Sequence, residues 1–137
     1  MADGGFVVAW DLCPVNSIQP CEVRARRFDA VGRPLTSELQ VSPPDGRTHF
    51  QPAIAAGGRG YFLVAWRACA QSDCRVSARA YNPVDTPAPG ASTIAVGDPI
   101  NIAWVTGSPQ GFLVFVEAAA TTAAQRLYGW RFDFPHR

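Results

Sequence analysis

One apolar segment recurs three times along the chain: "GGFVVAW" (4–10), "GYFLVAW" (60–66) and "GFLVFVE" (111–117). Each copy is followed by a second related segment, "VRARRFD" (23–29), "VSARAYN" (76–82) and "LYGWRFD" (127–133). Ahead of two copies lies a third motif, "QPAIAAGG" (51–58) and "PINIAWVTG" (99–107), and between the units sit "PLTSELQVS" (34–42) and "ASTIAVGD" (91–98). Self-similarity at a period of about 50 residues restricts the fold to units that cannot bury their apolar faces alone and must stack.

The repeated segments are strands. Phe6-Val7-Val8-Ala9-Trp10 is an unbroken β-branched and aromatic run, the pattern of a strand buried on both faces. The second segment alternates, with Val76, Ala78 and Ala80 on one side and Ser77, Arg79 and Tyr81 on the other. Gly, Pro, Asp and Asn bound each run and supply turn geometry. No apolar i, i+3, i+4 pattern persists for three helical turns, so the chain is expected to be all-β. With the strands labelled A ("PAIA"), B ("GYFLVAW"), C ("RVSARAYN") and D ("STIAVGD"), the order is B-C-D, A-B-C-D, A-B-C. Repeat units of roughly 4–49, 50–98 and 99–137 then make up a single domain over 1–137, and a four-stranded antiparallel unit of about 50 residues is the size of a propeller blade.

The stretches "GGFVVAW", "RFDAVGRPL" and "QPAIAAGG" resemble the repeats of secreted bacterial β-propeller proteins, in which G-G-F-V-V-A-W, R-F-D-A-x-G-x-P and P-A-V-A recur. The resemblance covers nearly the whole chain, although Val116 stands where the other copies have Trp. It implies a fold of propeller-type blades and says nothing of function. About two and a half blades cannot close a ring, so strand edges and apolar faces would be left bare. The expectation is an incomplete propeller closed by homo-oligomerisation, for which two chains related by a two-fold axis suffice. A β-sandwich is the alternative, and a fragment of a longer protein a third outcome.

Cys13 and Cys69 each lie three residues after the tryptophan of a B strand, and Cys21 and Cys74 each lie seven before the aromatic residue of a C strand. A zinc site would use C-x2-C knuckles, and a redox pair C-x-x-C at a helix start; neither is present. A bridge across a hairpin needs only that two paired strand ends meet, whatever the loop length. Disulfides Cys13–Cys21 and Cys69–Cys74 are therefore expected, and with them an extracellular, periplasmic or cell-surface location. Met1–Gly5 shows neither a basic n-region nor an apolar h-region, which leaves a removed signal peptide or a start inside a longer gene.

Few residues offer chemistry. The net charge of +1 gives no reason to expect a nucleic-acid partner, and no apolar run reaches the roughly 18 residues of a membrane span. His49 lies in "DGRTHFQPAIA", at the entry to an A strand, which in a propeller runs nearest the axis. With Asp45 and Arg47 it makes a candidate site, against the plainer reading of an exposed loop histidine. Asp98, before Pro99, takes the comparable place in the next repeat, and His49 with Asp98 from two chains would be candidate metal ligands or a general base. Nucleophile, phosphate-loop and calcium-loop motifs are missing. Arginines crowd the C strands (Arg24, Arg26, Arg27, Arg75, Arg79, Arg126, Arg131), either as a basic face for acidic glycans or as solvated residues pairing with Asp11, Glu22, Asp29 and Asp73. Trp10 and Trp66 are repeat-equivalent packing residues. Trp104 and Trp130 break the pattern and, with Arg47, are candidates for ligand binding, since an exposed indole stacks on sugar rings.

The leading expectation is a secreted binding or scaffold module that self-associates and recognises glycan or protein ligands without a cofactor. The alternative is a metal-dependent hydrolase of the phosphotriesterase or lactonase type, with a divalent metal on the propeller axis; it rests on fold-level analogy alone.

Overall fold

A computed structural model describes residues 4–15, 20–71, 73–82, 92–96, 100–121 and 124–133. Ten strands run through them: β1 (Phe6–Leu12), β2 (Glu22–Phe28), β3 (Leu39–Gln40), β4 (Thr48–Ala56), β5 (Phe62–Ala70), β6 (Asp73–Tyr81), β7 (Ser92–Val96), β8 (Ile100–Gly107), β9 (Gly111–Thr121) and β10 (Ala124–Asp133). They form three antiparallel meanders in chain order, β1-β2-β3, β4-β5-β6-β7 and β8-β9-β10, and none closes on itself. The only helical element among the described residues is a 3-10 turn at Gly58–Gly60.

The register repeats from sheet to sheet. Phe6 pairs with Phe28, Phe62 with Tyr81 and Phe112 with Phe132, so each sheet carries an aromatic pair at the same place. The first two pairs are stacked, with centroids 5.3 and 4.7 Å apart; the third is tilted, at 6.2 Å. Because strand side chains alternate, everything in register with these rings shares their face.

That alternation gives two cores, one on each side of the middle sheet. Phe62, Val64, Trp66, Ala68 and Tyr81 pack with Val23, Ala25 and Val41 of the first sheet. Leu63, Ala65, Val76, Ala78 and Ala80, on the opposite face, pack with Phe112, Val114 and Val116 of the last. The unbroken run of β5 is thereby explained: both faces of the strand are covered, and five consecutive residues from Phe62 to Trp66 are fully buried. Each sheet thus has a leading face, bearing its aromatic pair, and a trailing face opposite; in the two internal contacts the leading face of one sheet meets the trailing face of the sheet before it.

Two devices fix the stacking. Arg27 on the trailing face of the first sheet reaches into the middle sheet, its guanidinium 4.7 Å above the Phe62 ring and donating to the carbonyls of Gly60 (2.8 Å) and Asn82 (3.0 Å). Only 7% of Arg27 is exposed, so it belongs to the core and not to the solvated arginines expected on these strands. Two of the others match that expectation, Arg24 pairing with Glu22 and Arg75 with Asp73, whereas Arg131 pairs with Asp133 and Asp29 is taken by Arg33 of the following turn. Between the middle and last sheets the backbones themselves meet. A Cβ on Gly107 would collide with the carbonyl oxygen of Ala56, and Gly58 N–H donates to Ser108 O at 3.0 Å. Only glycine permits that approach of β8 to β4.

Both disulfides are present, Cys13–Cys21 and Cys69–Cys74. Cys69 and Cys74 are directly opposed partners of the β5–β6 ladder. Cys13 and Cys21 stand one residue beyond Leu12 and Glu22, the last pair of the β1–β2 ladder. Among the described residues no helix is long and apolar enough to cross a membrane.

Candidate functional site

The segment that carries the histidine candidate begins in the turn before β4. Asp45 Oδ1 accepts from the backbone N–H of Arg47 (3.0 Å), and Gly46 between them takes φ 83°, a left-handed conformation that glycine adopts freely. The turn delivers His49 into β4, opposite Ala68 of β5, on the face turned to the first sheet. There it is only 3% exposed, so it is a core residue and not an exposed loop histidine.

Both ring nitrogens are engaged. Trp66 Nε1–H donates to His49 Nδ1 at 3.0 Å, and an indole N–H can only donate, so Nδ1 is the acceptor. The proton then sits on Nε2, which faces Asp45 Oδ1 at 2.7 Å. The chain Trp66–His49–Asp45 runs from the deepest part of the core to the surface and satisfies an indole that would otherwise be buried without a partner. Burial pushes the Asp45 carboxyl up, but the Arg47 backbone N–H and the His49 imidazole outweigh it and hold the group below its ordinary value.

The ladder gives this histidine a structural meaning. In the last sheet Val116 holds the register of Trp66, and Ile100, paired with Ala118 as His49 is with Ala68, holds that of His49. Where tryptophan gives way to valine, its acceptor gives way to isoleucine. Ile100, and not Asp98, is therefore the register counterpart of His49. Asp98 and His136 lie outside the described residues.

Asp45 and His49 form one wall of an open cleft of about 340 Å³, completed by Pro20, Cys21, Glu22, Gln40, the Pro43–Pro44 pair and Arg47. Arg47 is tied down: Nη2 meets Asp73 Oδ2 at 2.7 Å and Nη1 donates to the Asp73 carbonyl at 3.0 Å, pinning the β3–β4 loop to the β5–β6 hairpin. The Arg47 guanidinium and then that of Arg75 hold the Asp73 carboxyl below its ordinary value. The imidazole thus lies behind the ionised Asp45 carboxylate, while the Asp73 carboxylate is balanced by the guanidiniums of Arg47 and Arg75. Among the described residues no three of His, Cys, Asp and Glu gather as a metal centre would require.

The two tryptophan candidates are not brought together. Trp130 is half-buried on the leading face of the last sheet, 5.9 Å from the Phe132 ring and against the second core. Trp104 is 63% exposed on the trailing face, beside Phe115 and Leu113. A bulge between Ile102 and Trp104 sets its register, and β4 carries the same irregularity between Phe50 and Ala53. Near Trp104, the mouth of the β8–β9 hairpin holds a second cleft of about 290 Å³ lined by Thr106, Leu113, Arg131 and Asp133 among others.

Sequence reasoning identified Trp104 as unusual and missed the pairing of His49 with Trp66; the signal was there, since a buried indole demands an acceptor and His49 was the nearest one in the same repeat. No protein family matches the chain, and neither the curated proteins nor the solved structures offer a match.

Proposed function

We propose that the chain is a secreted binding or scaffold module, assembled from propeller-type sheets, that associates with further copies of itself. One observation carries this reading: the outermost faces of the stack remain apolar, although their counterparts within it are buried. Phe6 and Val8 on the first sheet are each 42% exposed, whereas Phe62 and Val64, at the same register in the middle sheet, are fully buried. Open apolar faces of this kind mark association surfaces. Two hairpin disulfides support an oxidising compartment.

Light scattering on a size-exclusion column should give at least twice the 14.7 kDa chain mass. A monomer at all concentrations up to about 100 μM, where weak specific dimers are populated, would overturn self-association. For the compartment, thiol titration of the protein recovered from its native source should find no free thiol; four reactive thiols would contradict it. A glycan or protein ligand, if bound, would meet Trp104 as the exposed indole. Binding on a glycan array that Trp104→Ala abolishes supports the glycan form, and an array without signal removes it.

A further inference from the structure

We propose that the leading face of the first sheet docks on the trailing face of the last sheet of a second copy, head to tail. This rests on the self-association reading and assigns its surfaces. The first argument is the repeat. Leading-on-trailing contact occurs twice inside the chain, between the first and middle sheets and between the middle and last. One face of each kind is left over: Phe6, Val8 and Phe28 at the head, Trp104, Leu113 and Phe115 at the tail.

A second argument is a divided cation–aromatic contact. Arg27 lies over the Phe62–Tyr81 stack across the first internal contact. In the middle sheet its register is held by Ala80, and in the last sheet by Arg131, opposite Leu113. Arg131 lies on the tail with its side chain 72% exposed, paired with Asp133. The Phe6–Phe28 stack on the head is the counterpart of Phe62–Tyr81, and Gly4 and Asp29 hold the sequence places, beside that pair, of Gly60 and Asn82, to whose carbonyls Arg27 donates. Head and tail each carry half of an arrangement that the chain completes internally, and such a contact over a desolvated ring stabilises association.

A third argument is size, and it selects a second copy over another four-stranded sheet. The internal tail facing the last sheet is built from small residues, with Ala53 and Ala65 paired. Their counterparts in the last sheet are Trp104 and Phe115. That added bulk suits a partner with a strand missing at this position, and the head is such a partner: β1 is an edge strand, with nothing among the described residues where β4 flanks β5.

The test uses two variants at exposed positions, Val8→Glu for the head and Leu113→Glu for the tail. Each alone should run at the monomer mass by light scattering. Mixed in equal amounts they should form a two-chain species, since one intact head then meets one intact tail, and its appearance shows that both variants are folded. Arg131→Ala should weaken self-association about tenfold, the loss of one cation–π contact. If either glutamate variant alone associates like wild type, its face is not in the contact: the head-to-tail assignment falls while self-association stands. If the wild type associates but the mixture stays monomeric with native circular dichroism, the assignment falls likewise. A monomeric wild type overturns both.

Discussion

At the scale of the residue, the informative group is Trp66 with its acceptor. Trp66 is fully buried, and its Nε1–H has His49 Nδ1 as its partner. Replacing His49 by Ile strands that donor in the core, at a cost of about 1–3 kcal/mol. Trp66→Val removes more, about 3–5 kcal/mol, mainly through the cavity left behind. The double variant reproduces the Ile100–Val116 pair of the last sheet, so it should be less destabilised than the sum of the two by about 1 kcal/mol or more. Urea unfolding of the four proteins checks this, and strict additivity would show that the pair is not a unit. The same network sets part of the acid response. Asp45 has a folded pKa below its unfolded value, so its contribution is complete above about pH 4 and is lost as the pH falls through the folded value. Asp29, held down by the Arg33 and Val31 backbone N–H groups, and Asp73, held down by Arg47 and Arg75, act in the same direction. Asp45→Asn should therefore lower stability at pH 7 and flatten its decline between pH 5 and pH 2. An unchanged slope would remove Asp45 from the acid limb.

At the scale of the element, the two hairpin staples separate two causes of stability. Chain entropy favours the longer loop: Cys13–Cys21 spans 8 residues and Cys69–Cys74 spans 5, which puts the entropic terms within about 0.5 kcal/mol of each other at roughly 2–3 kcal/mol. Burial acts the other way, because Cys74 is part of the second core, whereas Cys13 lies at an exposed strand end. The Cys69→Ala/Cys74→Ala pair should therefore cost more than Cys13→Ala/Cys21→Ala, measured as the difference in denaturation midpoints at equal m-value. The reverse order would mean that loop entropy outweighs packing here. Most of this level was legible beforehand: strands, hairpins and cysteine pairs are set by local alternation and turn residues, and those lie in the sequence. The irregularities were not. The bulges before Ala53 and Trp104 depend on which residues oppose each other across the ladder, as does the pairing of His49 with Trp66, and register is a property of two strands together. Arg27 was misread as solvated for a related reason. Its face is set by β2, but what covers that face is a different sheet, 33 residues or more along the chain at Gly60.

At the scale of the whole molecule, order should follow position in the stack. The middle sheet is covered on both faces, and within it β5 and β6 are also flanked on both edges. In the first sheet only the trailing face is covered and β1 is an edge; in the last sheet only the leading face is covered and β10 is an edge. This explains why Trp10, expected to pack like Trp66, is only half-buried: the same residue at the same register has no sheet in front of it. Local opening free energy rises with the apolar contacts that opening must break. Amide hydrogen exchange should accordingly be slowest in β5 and β6, intermediate in β2 and β9, and fastest in β1 and β10. The ranking also carries a concentration dependence, since any species that binds only the folded form stabilises it by an amount that grows with the logarithm of its concentration above Kd. Raising the protein concentration from about 1 to 100 μM should leave β5 unchanged relative to global unfolding and slow exchange in β1 and β9, the strands whose open faces a second copy would cover. Protection in β1 equal to that in β5 at low concentration would contradict the stacked arrangement itself, and exchange in β1 and β9 independent of concentration would mean that their faces stay open in solution.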